Sequence, residues 1–254
     1  TFNTLVGGLS GDALTVGNKN TALGYNTLSA DTLGDRNVAV GVDALASQNF
    51  TTSTDSYNTA VGFGAGGAVT TGIENTLIGG LAGDALTDAD KNVAVGRGAI
   101  GSDTLGSRSV AVGFQALGDQ NFTTATDVYN VGVGYEAGTS ITTGIRNTIL
   151  GGEAGDALTD ADDNVAVGAL ALSADTLGSR STAIGRGALK VQNFTTATQS
   201  YNTAVGYSSG ESISTAIQNT LLGGEAGTSL TTGGQNVAIG AFALQSETTS
   251  ANNV

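Results

Sequence analysis

The sequence predicts an all-β fold: a parallel β-solenoid of 14 coils, carried by one repeat domain over residues 1–254. Three observations predict it. A five-residue phrase of Asn (or Ser), Thr or Val, a small or aliphatic residue, an aliphatic residue and Gly starts at positions 3, 20, 37, 58, 75, 92, 109, 130, 147, 164, 181, 202, 219 and 236. The steps between starts run 17, 17, 17 and 21 and then repeat, which makes a 72-residue superrepeat. Within each phrase the side chains alternate with period two, as a strand requires. A fixed period near 20 residues is the signature of stacked units that bury one continuous core between neighbours.

Each part of a coil has a local reason. In Asn37-Val38-Ala39-Val40-Gly41, Val38 and Val40 face one way and Ala39 the other, and β-branched residues at the alternating sites favour a strand. A second apolar site follows the Gly by four residues, at Leu28, Leu45, Leu117, Leu172, Leu189 and Leu244, and suits a short second strand. Gly and Asn punctuate the turns, where positive φ is required. Proline is absent, which fits a chain whose backbone N–H groups all serve a ladder. The Asn column, interrupted only by Ser109 and Ser181, can stack into an amide ladder.

The four coils of the superrepeat differ. The first contains Gly79-Gly80-Leu81-Ala82-Gly83-Asp84, with counterparts starting at Asn3, Asn147 and Asn219. The second carries Asp31 to Arg36, echoed at Asp103 to Arg108 and Asp175 to Arg180. The spacing suggests that Arg36, Arg108 and Arg180 pair with Asp31, Asp103 and Asp175. The third holds the four extra residues, in Gln48-Asn49-Phe50-Thr51-Thr52 and its copies at 120 and 192. Each extension carries a Phe and, seven residues later, a Tyr: Phe50 with Tyr57, Phe122 with Tyr129, Phe194 with Tyr201. Insertions in a solenoid map to loops on one face, often the binding face, so these six are the candidate partner-contact residues. The competing reading, which we favour, is that the aromatics plug the wider coil or pack between chains.

Composition narrows the chemistry. The net charge of −13 argues against a nucleic-acid partner. His and Cys are absent, which removes the usual metal ligands, the common nucleophile and the common general base. No cofactor or metal site and no catalytic constellation is legible. Asp88, Asp90, Asp160, Asp162 and Asp163 could offer oxygen ligands to a hard cation, but a solvated acidic turn is the favoured reading. No apolar stretch is long enough to insert into a membrane. The chain begins at Thr1 and is in repeat frame by Asn3, as expected of a segment of a longer fibre protein. Its apolar rows leave one face needing cover, and oligomerisation supplies it.

Arg108-Ser109-Val110-Ala111-Val112-Gly113 and Arg180-Ser181-Thr182-Ala183-Ile184-Gly185 resemble the Asn-Ser-Val-Ala-Ile-Gly motif of YadA-type trimeric adhesin heads. The first Asn of that motif is Arg here, and the coils are longer than the family's usual coil. The resemblance implies a left-handed β-roll in which three chains pack around one axis as a homotrimer. Asn202-Thr203-Ala204-Val205-Gly206-Tyr207, with Ala137-Gly138 and Thr142-Thr143-Gly144, is also similar to repeats in bacteriophage tail fibres. Together these imply a structural protein rather than an enzyme. It would be a rigid shaft or head on a virion or cell surface, with other virion proteins or a host-surface glycan or protein as further partners. A phage tail fibre is the first reading and a bacterial surface adhesin head the alternative. A glycan-cleaving tailspike using two carboxylates is the reading from another class.

Overall fold

The computed structural model describes residues 2–254, which form an all-β parallel solenoid of fourteen turns. Among the described residues no helix forms. The chain divides into two compact units, Thr1–Tyr129 and Asn130–Val254.

In the first unit the three-residue strands are Thr4–Val6, Thr21–Leu23, Val38–Val40, Thr59–Val61, Thr76–Ile78, Val93–Val95 and Val110–Val112. Each pairs in parallel with the next, phrase on phrase, so that Thr4 faces Thr21, Thr21 faces Val38 and Val38 faces Thr59. The second unit repeats this with Val131–Val133, Thr148–Leu150, Val165–Val167, Thr182–Ile184, Thr203–Val205, Thr220–Leu222 and Val237–Ile239. Two-residue strands pair only beside the extensions: Gly34–Asp35 with Thr54–Asp55, Gly106–Ser107 with Thr126–Asp127, and Gly178–Ser179 with Thr198–Gln199.

The middle residue of each three-residue strand points inward. Ala39, Ala60, Leu77 and Ala94 are fully buried while their strand neighbours stay partly exposed. The second apolar site does not form the strand its spacing suggests. Leu28, Leu45, Leu117, Leu172 and Leu189 are buried, but they sit at left-handed turn positions with φ between 49° and 55°. Leu244 has φ 51° and is half-buried. A turn is tolerated there because the stacked copy still accepts the backbone hydrogen bond: Leu28 N–H donates to Ala44 O at 3.1 Å and Leu45 N–H to Ala65 O at 3.1 Å. Stacking, rather than extended conformation, satisfies the buried backbone.

The structure also gives the superrepeat a physical cause. Where the strand contributes a large residue, the following turn contributes a glycine: Leu77 with Gly83, Ile149 with Gly155, Leu221 with Gly227. A Cβ on Gly83 would lie 2.7 Å from a Leu77 methyl, and one on Gly227 would lie 3.0 Å from a Leu221 methyl. Where the strand contributes Ala39, Ala111 or Ala183, the turn contributes Leu45, Leu117 or Leu189. In these turns the core is filled from the strand side or from the turn side, while in the turns of Ala60 with Gly66 and Ala204 with Gly210 both are small and leucines of the adjacent turns reach in.

The Asn column closes each turn. Asn20 Oδ1 accepts the Asn37 N–H at 2.8 Å, while Asn20 Nδ2 donates to Gly34 O at 2.8 Å. The same two bonds recur at Asn75, Asn92, Asn147 and Asn164. The ladder runs one step past the last full phrase, since Asn253 N–H donates to Asn236 Oδ1 at 3.0 Å. Asn37 is the exception: its Nδ2 is buried without a partner. Its turn carries the four extra residues, so no carbonyl stands where the other asparagines find one. In the two later extended turns the position is Ser109 and Ser181, and Ser181 Oγ accepts from Gln192 Nε2 at 2.8 Å. Replacing Asn37 by Ser recreates that arrangement beside Ser56 and removes the orphaned donor. Asn37→Ser is expected to stabilise the chain by about 1 kcal/mol, read as a higher thermal midpoint by circular dichroism. A lower midpoint than the parent's counts against this account of the serines.

Candidate functional site

The extensions are anchored from inside. Asp31, Asp103 and Asp175 are fully buried. Asp103 Oδ1 accepts the N–H of Gly106 at 3.1 Å and of Phe122 at 2.9 Å, and Oδ2 accepts Gln120 Nε2 at 2.6 Å. Asp175 does the same with Gly178, Phe194 and Gln192, and Asp31 with Gly34, Phe50 and Gln48. These carboxylates face the core, so they are not the partners of the recurring arginines. Instead Arg36 Nε donates to Asp55 Oδ1 at 2.6 Å, Arg108 pairs with Asp127, and Arg180 stands 3.8 Å from Asp163 and donates to the Tyr201 hydroxyl at 2.6 Å.

The six aromatics of the extensions separate into two groups. Phe50, Phe122 and Phe194 are buried, at 5 %, 7 % and 6 % exposure, and plug the widened turns. Tyr57, Tyr129 and Tyr201 are about half exposed. The guanidinium of Arg36, Arg108 or Arg180 lies over the respective ring, 5.4, 5.8 and 5.6 Å from its centroid. The tyrosines, not the phenylalanines, are therefore the extension aromatics able to meet another molecule.

They belong to a larger surface. The fourth residue of every phrase is aliphatic and stands on the outside of its strand: Ile78 (38 % exposed), Val112 (37 %), Ile184 (38 %) and Leu222 (37 %) are examples. Beside this column runs a second made only of Thr and Val, the first residues of the strands, which are half-buried from Val38 onward. Two rims flank this apolar face. One is formed by the residue preceding each phrase, held in the left-handed conformation. In the first unit it reads Lys19, Arg36, Tyr57, Glu74, Lys91, Arg108 and Tyr129, with φ between 49° and 64°. In the second it reads Arg146, Asp163, Arg180, Tyr201, Gln218 and Gln235. Rim neighbours bond one another: Lys91 stands 3.9 Å from Glu74, and Arg146 Nε donates to Asp163 Oδ1 at 2.6 Å. The Arg146 hydrogen bond holds the Asp163 carboxyl below the usual carboxylate range.

The other rim is the residue after each phrase glycine, a position the sequence reading missed. Tyr25, Phe63, Tyr135 and Tyr207 stand there, at 56 %, 61 %, 53 % and 54 % exposure. Their signal was available, since each directly follows the invariant Gly. Arg97 lies over the Phe114 ring at 5.6 Å and Arg186 over Tyr207 at 5.9 Å. Gly152 and Gly224 occupy the same rim, and a Cβ on either would meet nothing within 4 Å, so each leaves an open notch.

The acidic turns have structural work. Asp88 Oδ1 accepts the Thr71 hydroxyl at 2.6 Å and Asp90 Oδ1 the Ile73 N–H at 2.8 Å. Asp160 and Asp162 repeat these bonds with Thr143 and Ile145. They line shallow grooves of about 480 Å³ beside Arg108 and about 330 Å³ beside Arg180. Among the described residues no group of three or more acidic side chains is placed to hold a metal ion. Asp84 and Asp156, in matching turns, have carboxyls pushed above the ordinary range, first by burial. No helix among the described residues is long and apolar enough to cross a membrane.

Comparison of the chain with protein-family models, curated proteins and solved structures finds no match.

Proposed function

We propose that this chain is a structural fibre protein, a homotrimeric β-roll shaft or head that serves surface attachment, with a bacteriophage tail fibre or virion appendage as the first assignment. One observation carries the reading: a Thr/Val and aliphatic face that recurs in every turn and stays partly exposed in the single chain. Scattered apolar residues are normal on a surface, but a contiguous apolar face of this kind marks an interaction site. Because the face is the same in every turn, a partner with the same repeat matches it turn for turn. Another copy of the chain is such a partner. The motif resemblance to trimeric adhesin heads supports three copies. The thin, Ala-rich interior supports it too, because assembly buries apolar area that one chain cannot.

Light scattering or mass photometry on the native protein is expected to return three times the chain mass, and a stable monomer at micromolar concentration overturns the trimer. Antibodies against the chain, used in immunogold microscopy, are expected to label virion appendages. Label on bacterial surfaces selects the adhesin-head alternative, and label confined to the cell interior overturns both. A glycan-cleaving tailspike remains the reading from another class, and its assay is release of reducing sugar from host glycan.

A further inference from the structure

We infer that the two rims are complementary halves of one contact, by which neighbouring copies lock turn against turn at the same height. The inference rests on the cyclic trimer proposed above. In a closed ring of copies about an axis parallel to the stacking direction, one rim of each chain must meet the opposite rim of the next. Any axial slip at that contact would build an open helix instead of a ring, so closure demands that equal turns meet. The side chains at the two ends of each turn can then be compared directly.

They match. In the first unit Tyr57 would meet Phe63, and in the second Tyr201 would meet Tyr207; both are exposed rings, and aromatic pairs gain about 0.5–1.5 kcal/mol beyond area burial. Lys19 would meet Tyr25 and Arg108 would meet Phe114, a cation against a ring in each case. In the second unit the two turns with a glycine on one rim carry a long polar side chain on the other. Arg146 lies opposite Gly152 and Gln218 opposite Gly224, where the open notch accepts it. Two turns set like charges together, Lys91 with Arg97 and Arg180 with Arg186. Each of these cations already has a partner in its own chain: Glu74, the Phe114 ring, Asp163 and the Tyr207 ring respectively. The rims thus supply what the uniform apolar face cannot, namely a preference for one register. On a face that repeats every turn, slipped pairings bury the same area.

The chain contains no cysteine, so introduced thiols report the contact alone. The double variant Tyr201→Cys/Tyr207→Cys, treated with a short bis-maleimide cross-linker, is expected to run as a covalent trimer on a denaturing gel. Tyr201→Cys alone is expected to stay monomeric on that gel. So is the offset pair Tyr201→Cys/Tyr135→Cys, whose positions lie four turns apart, about 19 Å at the spacing of paired strands. Mass photometry on each variant before cross-linking separates the two levels of the argument. A native trimer whose matched pair fails to link, or whose offset pair links equally well, overturns the rim pairing and leaves the trimer standing. A native monomer in the parent overturns both.

Discussion

Gly151→Ala is expected to destabilise the second unit by about 3–5 kcal/mol, a large fraction of the roughly 5–15 kcal/mol that holds a typical domain folded. Gly151 ends its phrase at φ 137°, a region that side-chain-bearing residues rarely occupy. Its added Cβ would stand 2.6 Å from Gly168 C and 2.7 Å from Gly168 O in the next turn. Both neighbours are backbone held in the ladder, so no rotamer change can relieve the contact. Backbone strain of this class costs roughly 1–3 kcal/mol, and overpacking a tight contact costs a similar amount. The adjacent glycine is the internal control. Gly152 has no positive φ and open space around it in its own chain, so Gly152→Ala adds no strain within the turn and is expected to cost far less than Gly151→Ala. Chemical denaturation followed by circular dichroism compares the two, and equal midpoints would show that stacking does not require the phrase glycine.

Asp103→Ala carries the second large effect. The substitution leaves the N–H groups of Gly106 and Phe122 without their acceptor, while the Gln120 amide keeps its bond to Ser109 Oγ. Each orphaned buried donor costs about 1–3 kcal/mol, so a loss of about 3–5 kcal/mol is expected, with the extension at residues 121–127 released first. Asp103→Asn keeps the shape and one acceptor oxygen, and is expected to lose less. Limited proteolysis should cut Asp103→Ala within the extension at protease levels that leave the parent intact. Unchanged proteolysis together with an unchanged denaturation midpoint would mean that the buried carboxylate is not the anchor.

The two expectations differ in how far the sequence reveals them. The phrase glycine recurs at every step, so its necessity is legible in the period, although the clash behind it is not. The role of Asp103 was misread, because an acid five residues before an arginine looks like half of an ion pair. Burial decides otherwise: the extended turn needs an internal acceptor for Phe122 N–H, and only a carboxylate aimed at the core supplies it. The Phe and Tyr of each extension look equivalent in sequence, yet their surroundings differ. Phe50, Phe122 and Phe194 fill the widened interior, while the tyrosines precede the next phrase at an outward left-handed position.

By itself the sequence determined the stacking, the parallel pairing, the alternation of side chains along each strand and the position of the Asn ladder. All four follow from a local pattern repeated at fixed steps, and a repeat can satisfy its backbone only by lying on its neighbour. The three-dimensional arrangement alone decided that the second apolar site is a left-handed turn, that the acids of the second coil face inward, and that two rims border the apolar face. These depend on which atoms of adjacent turns come within bonding distance. Those contacts run between adjacent turns, so no single repeat contains both halves of one.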